Sequence, residues 1–292
     1  MLKLLKEGST LAVAAPSGPF KKGIFLRGVS LLKKAGFKIK YGQGIFSRKD
    51  YLAGSDHRRA EELDNFLSDP QIEALLFARG GYGCQRLLPL LKKKVSPKIV
   101  MGSSDLTVLL LYLWKKYKIP SLYGPMVVSH LSKKENVSRF KKTVTYSDFL
   151  TRQNLSALST IRPGKAQGRL TGGCLSLIIS TLGTPWEIDT KDSILFLEDT
   201  NEPPYVVDRM LTQLEQAGKL KGVKGIVLGT FRLKSNYFPS AIKAVVQEKL
   251  SHFKGPVLWG IKFGHYPEPL ILPLGGDGKI VGRQLIITKG VF

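Results

Sequence analysis

Lys98-Ile99-Val100-Met101-Gly102-Ser103-Ser104-Asp105-Leu106-Thr107 carries a short apolar strand into a helix through one glycine and two serines. Such a junction is the repeating joint of sheets flanked by helices. The same grammar recurs on both sides of it. Thr10 to Ala15 reads as a first buried strand, followed by the turn Pro16-Ser17-Gly18-Pro19 and a helix from about Gly23 to Ala35, closed by Gly36. Phe37 to Tyr41 supplies another strand, and a helix opening near Asp56 places Leu63, Phe66 and Leu67 on one side before Pro70. Ile72 to Ala78 is an apolar run that ends in Arg79-Gly80-Gly81-Tyr82-Gly83. This alternation predicts a parallel sheet with helices on both faces, in which function gathers at the carboxyl ends of strands.

Downstream, residues 143–165 lose periodicity and carry Thr, Ser, Asn, Gln and Pro163-Gly164. The expected organisation is an N-terminal α/β domain over 1–145, a connection over 146–165 and a smaller C-terminal domain over 166–292. The last is read as mixed α/β and β-rich, with a helix after Gly172-Gly173, strands Ile194 to Glu198 and Gly225 to Gly229, a helix from about Pro204 to Ala217, and a β-rich end from Val257.

Composition narrows the function classes. With 292 residues, 43% of them hydrophobic, the chain can bury at least one full core. Lys3 and Lys6 before Leu11 to Ala15 imitate a secretory leader, but Glu7 and Gly8 interrupt it. The longest strongly apolar run, Leu106 to Trp114, is far below the roughly 20 residues that span a bilayer. A cytoplasmic protein without membrane insertion is therefore expected. Two cysteines, Cys84 and Cys174, give neither a disulfide framework nor metal spacing. The 45 Lys plus Arg against 22 Asp plus Glu leave a formal charge of +23, which permits attraction to any polyanion. The basic residues are dispersed in short clusters without a nucleic-acid-binding motif, so no specific nucleic acid is expected. A non-catalytic nucleic-acid binder stays as a distant alternative.

Several residues carry candidate chemistry. A hydroxyl on a sharp strand-to-helix turn points out of the sheet, and the N–H of the next residue can stabilise an oxyanion, so Ser104 with Asp105 reads as a nucleophile joint. Leu106 stands where G-x-S-x-G needs glycine, and taken alone the serines read rather as helix N-caps, with Asp105 favouring the helix dipole. A serine nucleophile needs a base, and the chain has four histidines, His57, His130, His252 and His265. His57 and His252 lie in highly charged stretches, His130 follows an apolar run, and His265 sits in the turn-dense Gly264-His265-Tyr266-Pro267-Glu268-Pro269. Glu198 closes an apolar strand beside Asp199, where it reads either as an orienting carboxylate or as an exposed acidic pair. The Gly80-Gly81-Gly83 loop allows close backbone approach, so an N–H from Gly81 can join that of Asp105 in an oxyanion hole. It lacks the Lys-Ser/Thr ending of a phosphate loop.

Taken together, Arg79-Gly80-Gly81-Tyr82-Gly83, Gly102 to Thr107, Gly124-Pro125-Met126, Leu197-Glu198-Asp199 with Asp208-Arg209, and Gly264-His265 with Leu272-Pro273-Leu274-Gly275 resemble the L,D-carboxypeptidases. That family also includes the microcin-immunity peptidases. Leu52-Ala53-Gly54-Ser55-Asp56 and Gly183-Thr184-Pro185-Trp186 extend the likeness in order over nearly the whole chain. The resemblance implies a flavodoxin-like N-terminal domain, a homodimer, and no metal or cofactor. It also implies a triad of Ser104 as nucleophile, His265 as base and then acid, and Glu198 as orienting carboxylate, between the two domains. The implied activity is hydrolysis of the L,D-amide to a terminal D-alanine in muropeptide tetrapeptides during cell-wall recycling. The alternative is immunity-type hydrolysis of peptide-nucleotides or acyl-sulfamoyl adenylates. Arg79 and Arg209 are candidates for holding the substrate carboxylate, because a guanidinium fork suits it. Two departures stand out: Ser103 where the family usually has an aromatic residue, which leaves Ser103 as a rival nucleophile, and Glu268 where similar proteins often carry Asn.

Overall fold

In the computed structural model, which describes residues 2–233 and 240–292, the first strand is β1 (Thr10–Ala14). Its apolar run from Leu11 onward is solvent-free, as expected of a parallel strand covered on both faces. α1 (Lys22–Lys34) follows and buries Phe25, Gly28, Val29 and Leu32, the spacing of one helix face. β2 (Lys38–Lys40), α2 (Asp56–Ser68), β3 (Ala74–Phe77), β4 (Ile99–Gly102), α3 (Thr107–Tyr117), β5 (Ser121–Tyr123) and α4 (Lys134–Thr145) complete the alternation. Ser55 caps α2 by accepting the Arg58 N–H.

These strands form a sheet in the order β2-β1-β3-β4-β5, all parallel, which is the flavodoxin-like order. α1 and α4 cover one face through Phe25, Leu32, Phe140 and Val144. α2 and α3 cover the other through Leu63, Leu67, Leu109 and Leu113.

The rest of the chain runs β6 (Leu155–Ser156), β7 (Ser159–Arg162), β8 (Lys165–Cys174), α5 (Leu175–Thr181), β9 (Ser193–Thr200), α6 (Pro204–Gln216), β10 (Gly225–Arg232), α7 (Ser240–Lys249), β11 (Val257–Trp259), β12 (Leu272–Leu274), β13 (Asp277–Val281) and β14 (Gln284–Lys289). A second, mixed sheet has the order β6-β14-β13-β8-β9-β10-β11-β7, with β8 to β11 parallel at its centre and antiparallel pairs at its flanks. The aperiodic stretch before Lys165 thus supplies both edge strands of this sheet.

Two features join the halves. The apolar cluster under α3 continues without a break into Leu175, Ile178, Phe196 and Leu214. In addition, β12 leaves the second half and pairs antiparallel with β5, extending the first sheet to six strands. No helix is long and apolar enough to cross a membrane among the described residues.

Candidate active site

The carboxyl ends of β1, β3, β4 and β5 point the same way, and the loops leaving β3, β4 and β5 meet the end of β10 and the loop before β12 around one cavity. Arg79, Gly80, Gly81, Ser104, Met126, Ser129, His130, Arg232, His265 and Tyr266 line it, around a volume of about 260 Å³.

Ser104 opens a 3₁₀ turn that continues into α3, and its φ of 60° lies in the left-handed region that side-chain-bearing residues avoid. The residue before it, Ser103, is extended and buried, whereas Ser104 is partly exposed to the cavity. The glycine loop after β3 presses directly on this turn. A Cβ at Gly80 would stand 2.8 Å from both Cβ and Oγ of Ser104, so only glycine fits there. Gly81 lines the cavity next to it.

Asp105 turns its side chain away from the cavity. Its Oδ2 accepts from Ser17 Oγ at 2.6 Å and from the Cys84 N–H at 2.9 Å, tying the loops after β1 and β3 to the start of α3. Burial raises its pKa, and these hydrogen bonds only partly offset that. Cys84 is itself fully buried, with its thiol pushed up by burial and by Asp105, which makes it a packing residue rather than a reactive one.

Across the cavity, His265 Nδ1 lies 2.7 Å from Glu198 Oε2, and the backbone N–H of His265 donates to the same oxygen at 3.1 Å. Glu198 is solvent-free at the end of β9, and its other oxygen accepts from Tyr123 Oη at 2.6 Å. Tyr123 Oη, the His265 ring and the His265 backbone thus all converge on this one buried carboxylate. The chain can approach so closely because residue 264 is glycine. A Cβ there would come within 2.3 Å of the Glu198 carboxyl carbon.

Burial disfavours the His265 imidazolium, but the hydrogen bond to Glu198 and the charges of Glu198 and Asp199 outweigh it, so the His265 pKa is raised above its ordinary value. Asp199, held by the N–H groups of Ser176 and Thr200, is itself pushed up to about 6 by burial and by the neighbouring Glu198. No hydrogen bond joins Ser104 Oγ to His265 directly; the two face each other across the cavity they line.

Of the residues nominated from sequence, Ser104, His265, Gly81 and Arg79 line the cavity and Glu198 stands behind His265. Arg79 donates one guanidinium N–H to the Pro19 carbonyl at 3.1 Å. Arg209 does not reach the cavity; it is exposed on α6, and Arg232 at the end of β10 occupies the cavity wall instead. Tyr123 and Arg232 were not singled out from sequence, and His130, weighed there among the possible bases, also lines the cavity. His130 Nδ1 accepts the Met126 N–H at 3.1 Å, and burial, with His265 and Lys133 nearby, lowers its pKa to about 4. It therefore stays neutral at ordinary pH, with its proton on Nε2. The sequence signal for Tyr123 was its place at a strand end next to Gly124-Pro125-Met126.

Models of the LD-carboxypeptidase N-terminal and C-terminal domains match residues 11–124 and 167–280. The chain belongs to the LD-carboxypeptidase family. It is 33% identical over 99% of its length to a probable murein peptide carboxypeptidase of Bacillus subtilis, covering 94% of that protein. It is 28% identical over 93% of its length to the microcin C7 self-immunity protein MccF of Escherichia coli, covering 90% of it. Among solved structures, a muramoyltetrapeptide carboxypeptidase from Oxalobacter formigenes superposes with a TM-score of 0.83 at 29% identity, over 96% of this chain and 99% of that one. LD-carboxypeptidase membership makes the protein a peptidase of the carboxypeptidase type.

Proposed function

We propose that this protein is a serine carboxypeptidase that hydrolyses the L,D-amide bond to the C-terminal D-alanine of muropeptide tetrapeptides, through an acyl-enzyme on Ser104. The observation that carries this reading is the Glu198–His265 pair at 2.7 Å on the wall of the cavity that Ser104 lines. The murein-peptide names of the relatives above support the substrate class.

In this scheme Ser104 Oγ attacks the carbonyl carbon of the scissile amide, and its proton passes to His265 Nε2. Glu198 keeps the Nδ1 proton in place and stabilises the imidazolium that forms. The developing oxyanion is met by the N–H groups of Gly81 and Asp105. His265 then gives its proton to the departing D-alanine nitrogen. Water, deprotonated by the same imidazole, attacks the ester and frees Ser104. Arg79, already on the cavity wall, is the candidate for the free carboxylate, and Arg209, on α6, is not. Ser103 is buried, which leaves Ser104 as the hydroxyl open to substrate. The scheme calls for no metal or cofactor. By the same reading the enzyme works as a cytoplasmic homodimer in cell-wall recycling, without a nucleic-acid partner.

The test is mass spectrometry of purified protein with a defined tetrapeptide. Wild type and Ser103→Ala should release one D-alanine and the tripeptide, and Ser104→Ala should release neither. Cleavage of an acyl-sulfamoyl adenylate with no action on the tetrapeptide would replace this reading by the immunity-type one.

A further inference from the structure

Tyr123 occupies a position that the hydrolytic scheme does not use. It ends β5, in register with Gly102 of β4 on one side and Leu272 of β12 on the other. Its side chain is solvent-free, and its ring packs against Phe196 of β9 at 5.5 Å and Phe263 at 6.4 Å between centroids. This aromatic packing fixes where the hydroxyl lies. There it accepts the Ser104 backbone N–H at 3.2 Å and donates to Glu198 Oε1 at 2.6 Å.

A backbone N–H can only donate, so the single phenol proton must point at the carboxylate. The direction of the whole chain is thereby set: Ser104 amide to phenol, phenol to Glu198, Glu198 to imidazole. Burial and the charge of Glu198 raise the Tyr123 pKa well above its ordinary value, so the donor is never lost in the working range of the protein.

We infer that Tyr123 is a positioning residue that couples the nucleophile's backbone to the base: it holds Ser104 in its left-handed conformation and moderates the pull of Glu198 on the His265 proton. The inference rests on the Ser104–Glu198–His265 reading. Its chemical content is a balance. A carboxylate that shares its charge with a phenol holds an imidazolium less tightly than one that does not. Without Tyr123, His265 would be protonated at higher pH and so less available as a base. The other charged or titratable groups facing this pair among the described residues are Asp199 on β9, Arg232 on β10 and His130, with Cys174 near the phenol. None of them donates to Glu198 Oε1.

Two substitutions pull in opposite directions. Tyr123→Phe keeps the ring and removes both hydrogen bonds. 3-Fluorotyrosine placed at position 123 alone keeps both and strengthens the donor. The readouts are the His265 imidazole titration by NMR in the free protein, and kcat and KM on the tetrapeptide. Tyr123→Phe should move the titration midpoint up by about half a pH unit or more. It should also lower kcat roughly 10- to 100-fold, the usual effect of removing a partner that orients an active group, with KM little changed. The fluorinated protein should move the midpoint down. Should Tyr123→Phe fail to fold, the fluorinated protein decides alone. A His265 midpoint that stays put in every folded variant overturns the inference, as does unchanged kcat in a folded Tyr123→Phe. Shifts of the expected sign in both variants, with a wild-type protein that cleaves no peptide, sink the peptidase reading and leave the coupling standing.

Discussion

Glu198 Oε2 receives both the ring nitrogen Nδ1 and the backbone N–H of His265, so one oxygen fixes the imidazole's tautomer and its loop together. The second contact needs only an acceptor oxygen at that position, and the first also the charge of the carboxylate.

Replacing Glu198 by Gln separates these two roles. The amide keeps the size of the side chain but removes the charge, and on rotating it offers an N–H where the imidazole needs an acceptor. On the pattern of Ser-His-Asp enzymes, kcat should fall by on the order of 10³- to 10⁴-fold in Glu198→Gln. A loss under tenfold in tetrapeptide hydrolysis would remove Glu198 from the mechanism.

The same pairing sets a pH limit. In the proposed mechanism His265 must be neutral to accept the serine proton, and its pKa is raised because Glu198 and Asp199 favour the imidazolium. Activity is therefore complete above that raised value and declines as pH falls through it. The acid limb of kcat/KM should lie above the ordinary histidine value of 6.5. A limb at or below that value would mean that burial, not Glu198, dominates the group being titrated.

Gly80 offers a test that leaves every polar side chain in place. A methyl group at this position would meet Ser104 Cβ and Oγ at 2.8 Å, so Gly80→Ala must push either the loop or the nucleophile aside. Displacements of about 1 Å at reacting atoms cost about a hundredfold in rate, and that is the expected loss in kcat. Near-wild-type turnover in a folded Gly80→Ala would show that the glycine loop does not bear on Ser104 in solution.

His130 should appear in stability rather than in hydrolysis. Its folded pKa of about 4 lies below the ordinary 6.5, so the unfolded chain takes up a proton first as pH falls. Stability from a neutral, buried His130 is thus complete above 6.5 and is lost progressively toward about 4. Asp199, raised to about 6, works in the opposite direction and cancels when variant and wild type are compared. Between about pH 7 and about pH 4.5, wild type should lose on the order of 2–3 kcal/mol more than His130→Gln in urea unfolding. Parallel losses in the two proteins would place the burden elsewhere.

Much of the first sheet was legible because β1, β3 and β4 are continuous apolar runs, with clear-faced helices between β1 and β3 and after β4. Their predicted limits differ from the structure by a residue or two. The edge strands β6 and β7 were not, since runs of two and four residues are too short to carry a periodicity that distinguishes them from a connection. β12 was hidden for a different reason. It contains Pro273, a poor strand former, and its partner β5 lies far away in sequence. The candidate site shows the same division. Ser104, Glu198 and His265 each stand at a strand end or in a turn, where local pattern points to them. Tyr123 gives no local sign of its partners, because its contacts exist only once β5 and β9 are brought face to face. Arg209 was nominated although it lies outside the cavity, and Arg232 was passed over although it lines it, because sequence shows a guanidinium but not which wall it reaches.

The placement of β12 has a consequence for biosynthesis. Residues 272–274 are synthesised about 150 residues after β5, yet they form the outermost strand of the sheet whose other five strands precede residue 124. Until they arrive, the growing polypeptide carries β5 as a bare edge, open to pairing with the wrong chain. The proposed catalytic assembly is equally incomplete, since His265 emerges only shortly before. Fragments that stop short of residue 272 would thus be sticky and, on the proposed mechanism, inert.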